Sequence, residues 1–263
     1  MLCDILLTME FAGLHFLVFF FFVFVFYLAL PKKMRLYLLL FCSFLFLFFW
    51  SFSSIVFIVL VGFVCLATVS FLQVVRGKMR IVVVFFGVAL VVGLLGYGKY
   101  SSWLLGEVGD GVFVFSGIVP LGISFYSLHA ISLMVEHYHD KSKRLKIWGL
   151  GTFLYLGSFF KLPAGPIESP KTFFQSLRQK TSLQPFMVVR GLRLVLWGLY
   201  LKIVVADRLA YYYVDPVFRH PDRYGGMVIL IAIYAYSFQI LADFMGYTSI
   251  ARGLGCLLGF LAK

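Results

Sequence analysis

Residues 36–75 read LYLLLFCSFLFLFFWSFSSIVFIVLVGFVCLATVSFLQVV, forty positions without one charged side chain. A helix needs about 20 apolar residues to cross the hydrocarbon of a bilayer, so this stretch is long enough for two crossings. Its polar interruption is Ser51-Phe52-Ser53-Ser54 beside Trp50, which marks the turn between them. The stretch decides the fold class, because no soluble domain carries such a run. The rest of the chain agrees. It has 263 residues, of which 62% are hydrophobic, 19% aromatic and only 13% charged. A soluble domain is roughly 25% charged, so this chain cannot clothe a water-facing surface, and the same figures exclude disorder.

Working outward, residues 11–30 form one uncharged run and 81–98 and 111–135 two more. Residues 11–30 do not read as a cleaved signal peptide. Asp4 and Glu10 precede them where basic residues belong, and Pro31-Lys32-Lys33 follow where a small-residue cleavage site belongs. The runs are continuous and do not alternate, which disfavours an outer-membrane barrel. The reading is all-α: a polytopic transmembrane helical bundle of roughly seven spans plus a re-entrant segment, one transmembrane domain over residues 1–263.

The net charge is +12. In a soluble domain that excess would suggest nucleic acid. Here the basic residues fall in short breaks between apolar runs, where they set topology, so no nucleic-acid partner is expected. Lys32, Lys33 and Arg35 follow the first span, Arg76, Lys78 and Arg80 the third, and Lys141, Lys143, Arg144 and Lys146 the fifth. Even numbers of crossings separate these loops, so all three can be cytoplasmic. The N-terminus, the Ser51–Ser54 turn and the loop at Glu107–Asp110 are then outside. The expected location is a bacterial inner membrane, multi-pass, with the bilayer as first partner. Four scattered cysteines (Cys3, Cys42, Cys65, Cys256) offer neither a disulfide framework nor a zinc site, and no metal is expected.

Residues 147–167, IWGLGTFLYLGSFFKLPAGPI, break the pattern. Basic residues flank both ends, and the run holds Lys161, Pro163, Pro166 and Gly165. Non-helical backbone at membrane depth is tolerated only inside protein or beside a water-filled cavity. The segment therefore reads as broken or re-entrant, lining a cavity, with an intramembrane lysine that needs a partner or water. The simpler alternative is a poor transmembrane helix with a Pro-terminated end. After it, residues 194–206 continue apolar around Lys202, residues 207–224 read as a mixed-charge outside loop, 225–242 as a return span, and 253–262 as too short to span.

Among candidate site residues, His129 lies at mid-depth in the fifth span. It is read either as packing with a hydrogen bond or as cavity lining with proton chemistry. His15 reads as structural or interfacial and His220 as a loop residue. His137 and His139, at i and i+2, do not share a helical face, so they make a poor metal pair. Asp243 ends an apolar run with Gln239 one turn earlier and Tyr236 seven residues before it. It reads as a buried polar cluster or as a helix-end aspartate reaching water. No nucleophile-elbow, P-loop or zinc-protease motif occurs.

Six segments in order carry a resemblance: LPKKMR (30–35), LLGYGKYSSW (94–103), VPLGISFYSLHAISLMVEHY (119–138), FFKLPAGPIESPKTF (159–173), GLYLKIVVADRLA (198–210) and AYSFQILADFMGYTSIARGLGCLLGF (235–260). Together they resemble the membrane-bound O-acyltransferase (MBOAT) family, in its branch of bacterial alginate O-acetylation and teichoic-acid D-alanylation proteins. The resemblance implies a helical shell around an intramembrane tunnel. In it, a histidine base would activate an acceptor hydroxyl against an acyl thioester from the cytoplasmic side (coenzyme A or acyl carrier protein), with no bound cofactor. It implies a cell-envelope polysaccharide or polymer as acceptor and a separate extracytoplasmic acyl-transfer partner.

The sequence departs from the family pattern. The family's histidine segments would lie beyond Lys263, so no catalytic residue is assigned. His129 stands where the branch commonly has Gln, and Ser249 where a second Asp often follows the Gly-Tyr. The expectation is the N-terminal portion of an acyltransferase, inactive alone, with a C-terminal half encoded separately as one explanation. Candidate tunnel-lining residues are His129, Lys161, Pro163, Gly165, Pro166, Gln239, Asp243 and Tyr247. The alternatives from other classes are a transporter or channel and a non-catalytic membrane scaffold. Paired broken helices or inverted repeats would favour a transporter, and the sequence has neither.

Overall fold

The computed structural model describes residues 13–105, 119–139, 149–162, 165–166, 168–178 and 184–260, and these are helical and without strands. The chain begins with α1 (Leu14–Ala29), α2 (Lys32–Trp50), α3 (Phe52–Val74) and α4 (Met79–Leu105). The helix state is imposed by the solvent: in hydrocarbon every backbone N–H and C=O must be satisfied within the segment. The break between α2 and α3 falls at Ser51, as the sequence indicated. Its backbone is extended and its hydroxyl accepts from the amide of Ser54, capping α3. Then come α5 (Ile123–His139), α6 (Gly149–Gly157) and α7 (Pro170–Arg178). Four described helices are long and apolar enough to cross a bilayer: α2, α3, α4 and the last helix, α11 (Gly226–Leu257). Broad apolar faces with exposed Phe21, Phe22, Phe85 and Phe86 suit lipid. This is an integral membrane protein.

Helix α5 packs against α3 and α4, and α6 against α2, α3 and α5. The core lies where they meet, with Phe57, Val61, Cys65, Tyr126, Leu133, Met134 and Tyr155 all buried. At one end Arg80 donates to the carbonyl of Tyr138 at 3.1 Å, so the start of α4 and the end of α5 share a side. A guanidinium there also complements the negative end of the helix dipole. The fifth span differs from the sequence reading in its described part: residues 119–122 form a turn and helix begins only at Ile123.

The second half departs more. The expected loop at 207–224 is helical as far as Arg219. Helix α8 (Pro185–Leu199) runs into a π-helical stretch (Tyr200–Ala206), then α9 (Asp207–Leu209), a second π stretch (Ala210–Val214) and α10 (Asp215–Arg219). The flanking residues Leu199, Tyr200, Ala206, Asp207, Leu209 and Ala210 keep right-handed helical angles, so these pieces form one rod. The chain turns back only at His220 (φ −138°, ψ 61°). The return helix α11 extends over 32 residues, well past the 225–242 expected, and takes in the first half of 253–262, as far as Leu257.

Helix α11 packs along α8 through glycines. A Cβ on Gly198 would lie 2.6 Å from the carbonyl oxygen of Gly246, and one on Gly253 would lie 2.7 Å from that of Gly191. Small residues let backbones approach closely where no hydrophobic effect drives helices together. Gly198→Leu or Gly253→Leu should therefore force the helices apart and cost about 1–3 kcal/mol. Gly93→Ala, at a position with open space around it, should cost no more than a few tenths. Unfolding in mixed micelles of detergent and lipid, followed by circular dichroism, measures the difference.

Candidate functional site

Two polar clusters stand out, and the candidate residues divide between them. The first forms around the broken segment. Helix α6 has nine residues, about 13 Å at 1.5 Å per residue, which is less than half of a bilayer's ~30 Å hydrocarbon. It ends at Gly157, and Phe159–Leu162 form a turn. Sequence reading had this segment broken, and in its described residues it is.

The turn is held by partners from several elements. Ser43 of α2 accepts from the amide of Phe159 at 3.1 Å. Ser54 of α3 accepts from the amide of Leu121 at 2.9 Å. Gly122, at φ +69°, lets the 119–122 turn touch Leu162: a Cβ there would sit 2.6 Å from the Leu162 carbonyl oxygen. Gly165 closes the turn by donating to the carbonyl of Lys161 at 2.8 Å.

Lys161 is buried, and its partner is Glu168, with Nζ 2.5 Å from Oε2 and side chains 6% and 9% exposed. The ammonium also lies 4.4 Å from the centre of the Phe173 ring. Tyr155 donates to the Glu168 carbonyl at 2.8 Å, and its ring meets the edge of His129 at 5.1 Å. His129 is buried, with Nδ1 2.7 Å from the carbonyl of Phe125 one turn earlier, and the Pro166 carbonyl also acts on its ring. His129, Lys161, Gly165 and Pro166 therefore belong to one cluster, while Pro163 lies outside the described residues. Sequence reading missed Glu168 and Tyr155. Both lie in quoted segments, but nothing in the spacing pairs a lysine with a glutamate seven residues on, across a Pro/Gly turn.

The second cluster joins the α8–α10 rod to α11. Lys202, in the first π stretch, lies 2.8 Å from Asp207 Oδ1 and 2.8 Å from Asp243 Oδ1, and 5.2 Å from the centre of the Tyr247 ring. The glycine contact sets this geometry: Gly246 brings α11 against the rod where a Cβ would lie 3.2 Å from the Lys202 amide nitrogen. Asp243 is no helix-end residue; it stands near the middle of α11. Gln239 precedes it by one turn, with Oε1 buried. Tyr236 instead packs edge-on against Phe218, so the phenol of this cluster is Tyr247. The lysine is 20% exposed and the two carboxylates 50% and 37%. A half-open ion triad at mid-length of two apolar helices has to be covered by protein or water, because charge at the bilayer centre is costly.

These features define a helical membrane protein with one closed and one open polar cluster. No family model matches the chain. Curated proteins do. It is 30% identical over 184 residues to the probable alginate O-acetylase AlgI of Azotobacter vinelandii, covering 66% of this chain and 36% of that protein. It is 25% identical over 198 residues to the peptidoglycan O-acetyltransferase of Helicobacter pylori (64% and 37%). It is 27% identical over 146 residues to the teichoic acid D-alanyltransferase of Streptococcus thermophilus (53% and 34%). The matches span little more than a third of those relatives. They bear out the resemblance carried by the six segments: the chain is homologous to this branch of the membrane-bound O-acyltransferases.

Removing one partner of a buried ion pair leaves an uncompensated charge. Lys161→Met should therefore cost about 3–5 kcal/mol, and adding Glu168→Gln should recover most of the loss. Thermal unfolding of the single and double variants in detergent tests this. A double variant as unstable as the single one would mean that Glu168 does not balance Lys161.

Proposed function

We propose that this chain is part of an O-acyltransferase that moves an acyl group from a thioester donor to a hydroxyl of a cell-envelope polysaccharide or polymer. The homology over 184 residues to proteins named for that chemistry carries the reading. The donor is expected on the cytoplasmic side, where basic loops would steer an anionic coenzyme A thioester or acyl carrier protein. The proposed orientation has residues 31–35, 76–80 and 139–146 in the cytoplasm and the N-terminus outside, in a bacterial inner membrane. The contact of Arg80 with Tyr138 supports a common side for the second and third of these loops. An extracytoplasmic partner would take the acyl group onward.

The open triad supports an aqueous passage along α11. Asp243 and Leu241 lie at the same depth on different faces, and Leu241 is 54% exposed. Cysteines at Asp207 and Asp243 should react with a charged, membrane-impermeant thiol reagent, and a cysteine at Leu241 should stay silent against lipid. Equal silence at all three positions would remove the passage.

The same family chemistry needs a histidine base. Of the two buried histidines of α5, His129 and His137, His129 lies nearer the middle of the helix, with Nδ1 on the Phe125 carbonyl and its ring against Tyr155. No carboxylate lies three or four residues from it to orient it as a base. The base is therefore proposed to come from another segment or subunit. Expressed alone, the 263 residues should insert in the membrane and transfer acyl groups at least ~10²–10⁴-fold more slowly than a complete enzyme. Transfer by the purified chain that disappears in His129→Ala would make His129 the base and overturn this assignment.

A further inference from the structure

One face of α8 is turned away from the glycine seam. Met187, Gly191, Val195 and Gly198 are its buried side. On the other side Phe186, Val189, Arg190, Arg193, Leu194 and Trp197 line a shallow groove of about 350 Å³. The spacing 186, 189/190, 193/194, 197 is one continuous helical stripe. Its composition is unusual for a lipid-facing surface. Two guanidiniums stand one turn apart between aromatic and branched aliphatic walls, and neither forms an ion pair with a carboxylate among the described residues. Trp197, at the far end, stacks on Tyr200 at 5.5 Å and 21°.

We propose that this groove binds one anionic phospholipid, with its phosphodiester on Arg190 and Arg193 and an acyl chain along Leu194 and Trp197. The first argument is charge complementarity. Arginine presents donors in a rigid fork that matches phosphate oxygens, and two forks one turn apart, without a carboxylate partner among the described residues, bracket a single headgroup. The second is the wall. A soluble anion would gain nothing from Phe186, Val189, Leu194 and Trp197, whereas a lipid buries its chain on them. The third is position. The arginines lie in the first turns of a rod that runs on apolar, following Lys171, Arg178 and Lys180 in sequence, where anionic headgroups accumulate around basic residues.

The test is native mass spectrometry and equilibrium binding of the whole chain in mixed micelles containing phosphatidylglycerol or phosphatidylcholine. One phosphatidylglycerol per chain should be retained and phosphatidylcholine should not. Arg190→Gln/Arg193→Gln should weaken retention roughly thirtyfold, at about 1 kcal/mol for each cation. Arg193→Gln alone, at an exposed position, keeps the test valid if the double variant does not fold, and should weaken it several-fold. Equal retention of both lipids, or unchanged retention in both variants, would overturn the proposal. So would displacement of the lipid by coenzyme A, which would make the groove a donor site. Disulfide trapping of two chains through a cysteine at Phe186 would also overturn it, in favour of a second copy.

Discussion

The chain leaves the helical state at residues 158–162, between α6 and α7, and the first half of the molecule is arranged around that one constraint. Lipid cannot hydrogen-bond a freed amide or carbonyl, so each has to be met by protein. Ser43, Ser54 and Tyr155 each give a hydroxyl to a backbone group that no regular helix would satisfy. The sheath is aromatic. Phe159 is ringed by Phe16, Phe19 and Phe20, and Phe173 and Phe260 stack at 5.4 Å. A phenylalanine excludes water without adding a polar group that would itself need a partner. The exchange is cooperative: the turn is tolerated because it is enclosed, and the elements around it are held together by bonds to the turn.

The second half solves a different problem. Two long helices with little polar surface have no hydrophobic reason to associate in lipid, so contact depends on how closely their backbones approach. Gly191 and Gly198 on one side and Gly246 and Gly253 on the other provide that approach. The approach has a chemical result, since it carries Lys202 within 2.8 Å of Asp243 on the facing helix. The π stretch matters here too. Departures of this kind from the α-helical register recur at functional sites, and this one holds the lysine that bridges the two aspartates.

What the sequence discloses and what it hides follow from the range of each interaction. Run length and charge are local, so the α2–α3 break at Ser51, the position of α4 and the broken 147–167 segment were all readable. Residues 207–224 were misread because Asp207, Arg208, Asp215, Arg219, Asp222 and Arg223 were taken as a sign of water. In the structure Asp207 answers Lys202 five residues earlier, and Asp215 and Arg219 pair at 3.4 Å across one turn. Charges that neutralise one another along a helix look the same in a sequence as charges solvated in a loop. Asp243 and Tyr247 were marked by sequence, but their lysine was not, because it comes from a helix forty residues away. For Lys161 the need for a partner was legible and its identity was not.

The contrast between the two clusters bears on mechanism. Lys161 and Glu168 are closed off beneath Phe173, with the Glu168 backbone held by Tyr155, and an ion pair buried this deeply serves as an anchor. Lys202, Asp207 and Asp243 are partly open and carry a formal excess of one negative charge. Of the two clusters, the second has carboxylate oxygens that water can reach. His129 stands with the anchor. Its Nδ1 bonds to a backbone carbonyl of its own helix and its ring edge rests on Tyr155, which fixes the imidazole by packing. A general base has to meet the proton it removes, within hydrogen-bond reach. The groups around His129 are instead those of the closed cluster: the Phe125 carbonyl, the Tyr155 ring, Pro166 and Lys161. Of the two clusters, the polar surface open to water therefore lies on α11 and the rod beside it, and under the proposed acyl transfer a base would approach from the open side of Asp207 and Asp243.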